Sequence, residues 1–285
     1  MIGRKPDPAD ALFVGAGDIA DCREKPVHAP DTAALVRLFP SATVFAIGDN
    51  AYRNGTRAEF EDCYGASWGD FKERTRPAPG NHDYGIYLDR PRNNATPYFD
   101  YFGANAGPRG LGYYSFDLGS WHIVSLNSMA GLAGAPTKAA QEQWLVEDLE
   151  RNSKPCTLAY WHHPLFSSGA EHGDDPGDPG RFTGPLWKIL LDHKADVILN
   201  GHDHDYERFA LQDSKAKADP SGIREIVVGT GGGEERGFGT VKANSEVRLG
   251  HAYGVLLMTL HPAGYEWHFL RTDGTVADKG SDACH

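Results

Sequence analysis

An α/β fold with two packed sheets and outer helices is predicted by three observations. Short apolar runs ending in Gly, Asp, Asn or His recur along the chain, helical patterns lie between several of them, and after Asp205 the helical patterns stop while strand patterns continue. The runs Ala11 to Ala16, Thr43 to Ile47, Trp121 to Leu126, Thr157 to Trp161 and Val197 to Leu199 are short and apolar, as buried strands are. Asp31 to Phe39, Lys138 to Glu150 and Pro185 to His193 carry helical patterns, which makes the first part of the chain an alternating α/β arrangement. In the tail, Ile223 to Val228, Tyr253 to Leu260 and Tyr265 to Leu270 read as antiparallel strands, with Pro262-Ala263-Gly264 as a turn. Arg90 to Gly112, rich in Asn, Pro and Gly, and Ser167 to Gly180, rich in Gly, Asp and Pro, read as surface loops that wall a site. Neither marks a boundary. With 285 residues and 40% apolar content the chain is read as one domain over 1–285.

The formal charge of −11 argues against a surface that coats nucleic acid, because phosphate backbones are held by dense Lys/Arg surfaces. An anionic substrate would then need local positive charge, which bound metal ions supply inside an acidic protein. No run of about eighteen apolar residues occurs, so no membrane span is predicted. The opening Met1 to Asp10 is polar and has no apolar stretch of signal-peptide type, so an export signal is expected to be absent from this chain. Cys22, Cys63, Cys156 and Cys284 show no Cys-x-x-Cys spacing. They are either four reduced thiols or two disulfides. Cys22 with Cys63 is favoured because both follow sheet-end loops, which leaves Cys156 with Cys284 to pin the tail. Disulfides place the protein in an extracytoplasmic setting, secreted or periplasmic.

Five blocks carry the chemistry: Gly17-Asp18-Ile19-Ala20, Gly48-Asp49-Asn50-Ala51-Tyr52, Gly80-Asn81-His82-Asp83, Trp161-His162-His163-Pro164 and Gly201-His202-Asp203-His204. Each sits where an apolar run gives way to a loop, the place where open α/β sheets bind ligands. Their carboxylate, phenolate, amide and imidazole donors suit Fe, Zn and Mn. Two ions about 3.5–4 Å apart can neutralise phosphoryl charge and supply hydroxide, and Asp49 is placed to bridge them. His202 and His204 share a side if the segment is extended and diverge if it forms a tight loop. His162 and His163, being adjacent, would face opposite sides of a strand, so only one is expected to be a ligand. Gly229 to Gly233 reads as a sheet-end turn near the metals, because it lacks the Lys-Ser/Thr of a phosphate-cradling loop.

In this order the five blocks resemble those of the calcineurin-like metallophosphoesterases, and more closely the purple acid phosphatases. Ala20 stands where most of the superfamily has a His, and Tyr52 stands three residues after the second Asp, as in the branch whose tyrosinate binds ferric iron. Gly201 to Arg208 is also similar to that branch. The resemblance runs from about Phe13 to Arg208 and implies a four-layer αββα sandwich of two mixed sheets. It implies one ion held by Asp18, Asp49, Tyr52 and His204, Fe(III) in this site, and a second ion, Fe(II), Zn or Mn, held by Asp49, Asn81, His162 and His202. It further implies that His82 contacts the substrate phosphate or leaving oxygen and that His172 lines the substrate pocket. The large N-terminal β-domain of the plant members has no counterpart, implying a stand-alone catalytic domain. The expected activity is hydrolysis of small phosphate monoesters by direct attack of metal-bound hydroxide, with His82 and Asp49 at the reacting centre. Hydrolysis of phosphodiesters or nucleotides by the same site is the alternative, and a non-catalytic metal-binding module would need a defective ligand position, which the blocks do not show.

Overall fold

The computed structural model describes residues 9–23, 27–85, 94–132, 135–173, 175 and 178–285. In chain order its elements are β1 (Ala11–Ala16), α1 (Ala29–Arg37), β2 (Thr43–Ile47), β3 (Thr75–Ala78), α2 (Thr96–Phe102), β4 (Tyr114–Leu118), β5 (Trp121–Ser125), α3 (Lys138–Arg151), β6 (Cys156–Tyr160), α4 (Gly184–Asp192), β7 (Val197–Asn200), β8 (Tyr206–Phe209), β9 (Arg224–Val228), β10 (Ser245–Leu249), β11 (Gly254–His261), β12 (Gly264–Arg271) and β13 (Val276–Ala283). They form a six-stranded sheet, β13-β12-β11-β1-β2-β3, and a seven-stranded sheet, β10-β8-β9-β7-β6-β5-β4. Both sheets are mixed, with β1, β2 and β3 parallel in the first and β5, β6, β7 and β9 parallel in the second.

Most of the parallel strands are rich in apolar residues because neighbours cover both of their faces; Val44 to Ile47 and all of β6, β7 and β9 are buried. Side chains from the two sheets interlock across the middle layer. Phe13 of the first sheet lies 6.4 Å from Phe116 and 5.9 Å from Tyr160 of the second, centroid to centroid. Tyr206 stacks on Phe269 at 4.2 Å, and Arg208 and Arg224 of the second sheet lie over the Trp267 ring of the first at 5.1 and 5.0 Å. Asp278 takes Arg208 Nε at 2.8 Å and the Trp267 indole at 3.0 Å, so this charged edge of the core is paired.

One expectation is corrected, and five strands lie outside those the sequence predicts. Arg90 to Gly112 is not a loop throughout: α2 and a 3₁₀ turn at Gly103–Ala106 occupy its centre, while 90–93 lie outside the described residues. Tyr98 and Phe102 drive this, packing edge-on against Phe60 at 6.5 and 5.9 Å, and Pro97 supplies a helix-compatible first turn. Strands β3, β4, β8, β10 and β13 carry no apolar run of their own; β13 has exposed residues and lies at a sheet edge, paired with β12. Both disulfides form, Cys22–Cys63 and Cys156–Cys284, closing separations of 41 and 128 residues. Loops of that length stabilise by about 4 and about 5 kcal/mol in the chain-entropy account.

His122 of β5 joins β4 to α3, with Nδ1 at 3.1 Å from Asp117 and Nε2 at 2.8 Å from Asp148. Burial acts to lower its pKa, but the two carboxylates outweigh burial and raise it above 6.5. A raised folded-state pKa contributes stability that is complete below the unfolded value and is lost as pH climbs through the folded one. The stability difference between wild type and His122→Gln, measured by denaturant unfolding, is therefore expected to shrink as pH rises from below the ordinary imidazole pKa to well above it; a difference that grows over that interval removes the charged pairing.

Candidate metal centre

The site gathers the C-terminal ends of parallel strands from both sheets. β1 delivers Asp18, β2 delivers Asp49 and Tyr52, β3 delivers Asn81 and His82, β6 delivers His162, and β7 delivers His202 and His204. Asp18, Asp49 and His202 have positive φ, at 59°, 48° and 71°, a conformation that non-glycine residues adopt at a cost of order 1–3 kcal/mol and that clusters at functional sites. Glycines permit the close approach of these loops. A Cβ on Gly48 would meet the His162 ring at 2.6 Å, and one on Gly80 would meet the Asp49 carboxylate at 2.2 Å.

The side chains fall into two adjoining groups. In the first, Tyr52 donates to Asp18 Oδ1 at 2.8 Å, and its hydroxyl lies 3.0 Å from His204 Nε2. His204 Nε2 also lies 3.3 Å from Asp18 Oδ1. In the second, His162 Nε2 lies 3.2 Å from Asp49 Oδ2 and 3.2 Å from His202 Nδ1. Asp18 Oδ1 is 4.0 Å from His162 Nε2, so the groups touch. His202 and His204 thus diverge, the outcome of a tight loop. Asn81 lines the same cavity, of about 350 Å³, with Asp49, His82 and His172.

The other nitrogen of each ring is occupied from outside the cluster, which fixes the one that faces in. His162 Nδ1 donates to the Ile47 carbonyl at 2.8 Å, His204 Nδ1 to the Glu234 carbonyl at 2.5 Å, and His202 Nε2 pairs with Asp178 at 2.7 Å. Asp83 clamps two of the loops together, accepting from Asn50 N at 3.1 Å and Gly80 N at 2.9 Å. Gly233 of the Gly-rich turn donates to the Asp18 carbonyl at 2.8 Å, which places that turn beside the cluster as the sequence suggests.

Asp18, Asp49, Tyr52, His162, His202 and His204 are buried, and their crowding shifts the balance of charge among them. Burial acts to raise the Asp49 pKa, but His162 and His82 outweigh it and hold the carboxylate below its usual range. Burial likewise acts against charge on His162, yet Asp49 and Asp18 push it up to about 10. Burial, then Asp18 and Asp49, keep the Tyr52 phenol protonated far above its ordinary range. Asn81 Oδ1 is buried without a hydrogen-bond partner. An orphaned amide oxygen, inward-facing imidazole nitrogens and buried carboxylates fit hard to borderline cations such as Fe, Zn and Mn.

Two residues depart from the sequence reading. His162 and His163 do not face opposite sides, because β6 ends at Tyr160; both rings turn toward His202, at 5.0 and 4.2 Å. His163 Nδ1 engages Ser128 at 2.7 Å, and burial followed by the charges of His202 and His162 lowers its pKa, so it is a neutral packing partner of the cluster. Asp178 escaped the sequence reading, since no spacing within 167–180 distinguishes it from the other acids there. His172 lies at the cavity wall, its ring 4.0 Å from that of His202.

Residues 12–206 match the calcineurin-like phosphoesterase family, and the chain belongs to that family. Among its relatives, purple acid phosphatase 15 of Arabidopsis thaliana is 28% identical over 68% of this chain and 40% of its own length. Purple acid phosphatase 21 of the same plant is 34% identical over 43% of this chain and 27% of its own. The purple acid phosphatase PPD1 from yellow lupin seeds superposes with a TM-score of 0.76 at 20% identity, over 98% of this chain and 55% of that one, a likeness of fold. The matched stretches span less than half the length of these curated relatives.

Replacing Asp178 with Ala frees the His202 ring without removing any inward-facing donor. The expected result is a metal affinity weaker by roughly 10- to 100-fold, read by competition with a chromogenic chelator; unchanged affinity assigns the orientation of His202 to another group.

Proposed function

We propose that this chain is a phosphoesterase with a dinuclear metal centre, acting as a single catalytic unit on small phosphate monoesters. The observation that carries the reading is the buried cluster of Asp18, Asp49 and His162, whose donor atoms lie within 4.8 Å of one another, beside the orphaned Asn81 oxygen. Membership of the calcineurin-like phosphoesterase family and similarity to purple acid phosphatases support it. Asp18, Asp49, Tyr52 and His204 would hold one ion, and Asp49, Asn81, His162 and His202 the other. When bound, the ions supply Lewis-acid charge and an activated water, the chemistry that hydrolysis of an anionic ester needs.

The remaining work falls to the chain's own groups. Asp49 would belong to both donor sets and space them. The backbone N–H of His82 donates to Asp49 Oδ1 at 2.8 Å, and its Nδ1 lies 2.6 Å from the Arg53 carbonyl. That contact leaves Nε2, 3.7 Å from Asp49 Oδ2, as the atom that delivers a proton to the departing oxygen. His172 faces the same cavity from the opposite loop and orients the ester. Two disulfides suit an oxidising compartment, so the proposed setting is extracytoplasmic. No helix among the described residues is long and apolar enough to cross a membrane.

Asp49→Ala is expected to lose both ions by elemental analysis, while His82→Ala keeps them and slows hydrolysis of a chromogenic monoester by on the order of 10²- to 10⁴-fold. Loss of metal from the His82 variant makes it a ligand instead. A parallel diester substrate separates monoesterase from diesterase action.

The proposed Tyr52 ligand and Fe(III) give a spectroscopic test. A phenolate bound to ferric iron absorbs visible light, whereas zinc has no redox state to accept the charge. Oxidised, iron-loaded protein is expected to be pink to violet, and Tyr52→Phe to bleach it with the fold intact by circular dichroism. Colourless protein with full ferric occupancy removes Tyr52 from the coordination sphere.

A further inference from the structure

The cavity wall that faces the proposed centre contains an arginine that neither the metal donors nor the proton-transfer group requires. Arg236 lies on the loop after β9, and its backbone N–H donates to the His204 carbonyl at 3.0 Å, which fixes its position relative to a proposed ligand. Across the cavity, Glu171 on the loop after β6 pairs with Arg236 Nη1. The two loops are stitched by Ala170 N to the Gly237 carbonyl at 3.1 Å and Gly239 N to the Ser168 carbonyl at 2.8 Å. The guanidinium is therefore held in place by backbone as well as by its carboxylate partner.

The partnership is incomplete. Arg236 Nε is buried and has no hydrogen-bond partner among the described residues. The Glu171 side chain is 57% exposed, against 23% for Arg236. A solvent-exposed carboxylate contributes little to such a pair, whereas a largely buried guanidinium gains from an oxyanion that engages two of its donors at once. Of the other acids in this wall, Asp21 is already paired with Arg23, whose Nε lies 3.0 Å from its carboxylate, Asp49 pairs with His162, and Glu234 is exposed. Arg236 is thus a basic group in the cavity with a donor to spare and a displaceable partner.

We propose that Arg236 determines specificity by binding a second oxyanion, carboxylate or phosphate, on the phosphate ester, and that Glu171 holds its place until the ligand displaces it. The inference rests on the phosphoesterase reading for the position of the first phosphate. It selects phosphate esters whose alcohol portion is itself anionic over those with a neutral alcohol, since the proposed centre would hold one end and Arg236 the other.

The test uses metal-loaded, full-length protein and calorimetric binding of non-hydrolysable ligands. Benzylphosphonate is the reference; its ortho-, meta- and para-carboxy derivatives and para-xylylenediphosphonate carry a second oxyanion. Wild type is expected to prefer at least one of the doubly anionic ligands. Arg236→Gln should weaken that ligand by about tenfold more than it weakens benzylphosphonate, the scale of a hydrogen bond to a charged group. Arg236→Lys, which restores charge without the planar fork, should recover part of the difference. Glu171→Gln should tighten the doubly anionic ligand relative to the reference, a gain that a loop-bracing role for the pair does not produce and that can be read even if Arg236→Gln fails to fold. Equal losses for both ligand types in Arg236→Gln, or no preference in wild type, overturn the assignment. Failure of the wild type to hydrolyse any phosphate ester would overturn the phosphoesterase reading instead, while these binding ratios still decide the role of Arg236.

Discussion

Carboxylates and imidazoles crowded out of water at one edge of the molecule are the constraint on which the rest depends. Asp18, Asp49, His162 and His202 are all buried. Desolvating an isolated carboxylate costs many kcal/mol, so the fold must bring partners to within contact distance or leave the group neutral. Here it does the former, and every nearby element reflects that demand. Carbonyls of Ile47 and Glu234 and the carboxylate of Asp178 are spent on the outward nitrogens, the strand ends turn sharply through positive φ, and Gly48 and Gly80 give up their side chains to let the donors meet.

The two-sheet architecture is what makes such an edge available. Parallel strands end together, and each sheet contributes several parallel ends to the same rim. Neither sheet alone has enough donors. Asp18 and Asp49 come from the first and the three inward-facing histidines from the second, so the contact between Asp49 and His162 is also a contact between sheets. Aromatic packing of Phe13 against Phe116 and Tyr160 sets the spacing of the layers, and the Cys22–Cys63 disulfide ties the first donor loop to the segment that follows the second.

The cavity above this cluster is asymmetric in a way that bears on substrate choice. Its floor is carboxylate and imidazole, while its wall carries a guanidinium whose carboxylate partner is half in solvent. A floor that attracts cations and a wall that offers a cation provide two separate places for negative charge. The same loops that fix Arg236 also hold His204, through the bond from Arg236 N to its carbonyl, so the proposed selectivity and the proposed metal site share one framework.

Much of this was legible in the chain because β1, β2 and β7, which position most of the donors, are apolar runs that give way to Gly-Asp or Gly-His. Such runs identify themselves by composition, and β1 and β2 were readable to their terminal residues. Resemblance to the purple acid phosphatases, carried by the order of the blocks and the Tyr52/Ala20 exchange, implied how the donors would group. What local sequence does not encode is anything set by a distant partner. Asp178 is one acid among several in its loop until His202 arrives 2.7 Å away, and His163 is outward-facing by strand periodicity until β6 ends and its ring turns inward. Helix α2 was hidden in a segment rich in loop-forming residues because its stability comes from Phe60 and Tyr64 rather than from a helical pattern. Edge strands such as β13 were silent for a related reason: backbone pairing to a neighbour holds them, with little buried side chain of their own. The sequence by itself determined the apolar strands and the polar blocks at their ends; the tertiary structure decided which ring nitrogen faces inward and which loops meet, because those choices depend on hydrogen bonds to residues far away in the chain.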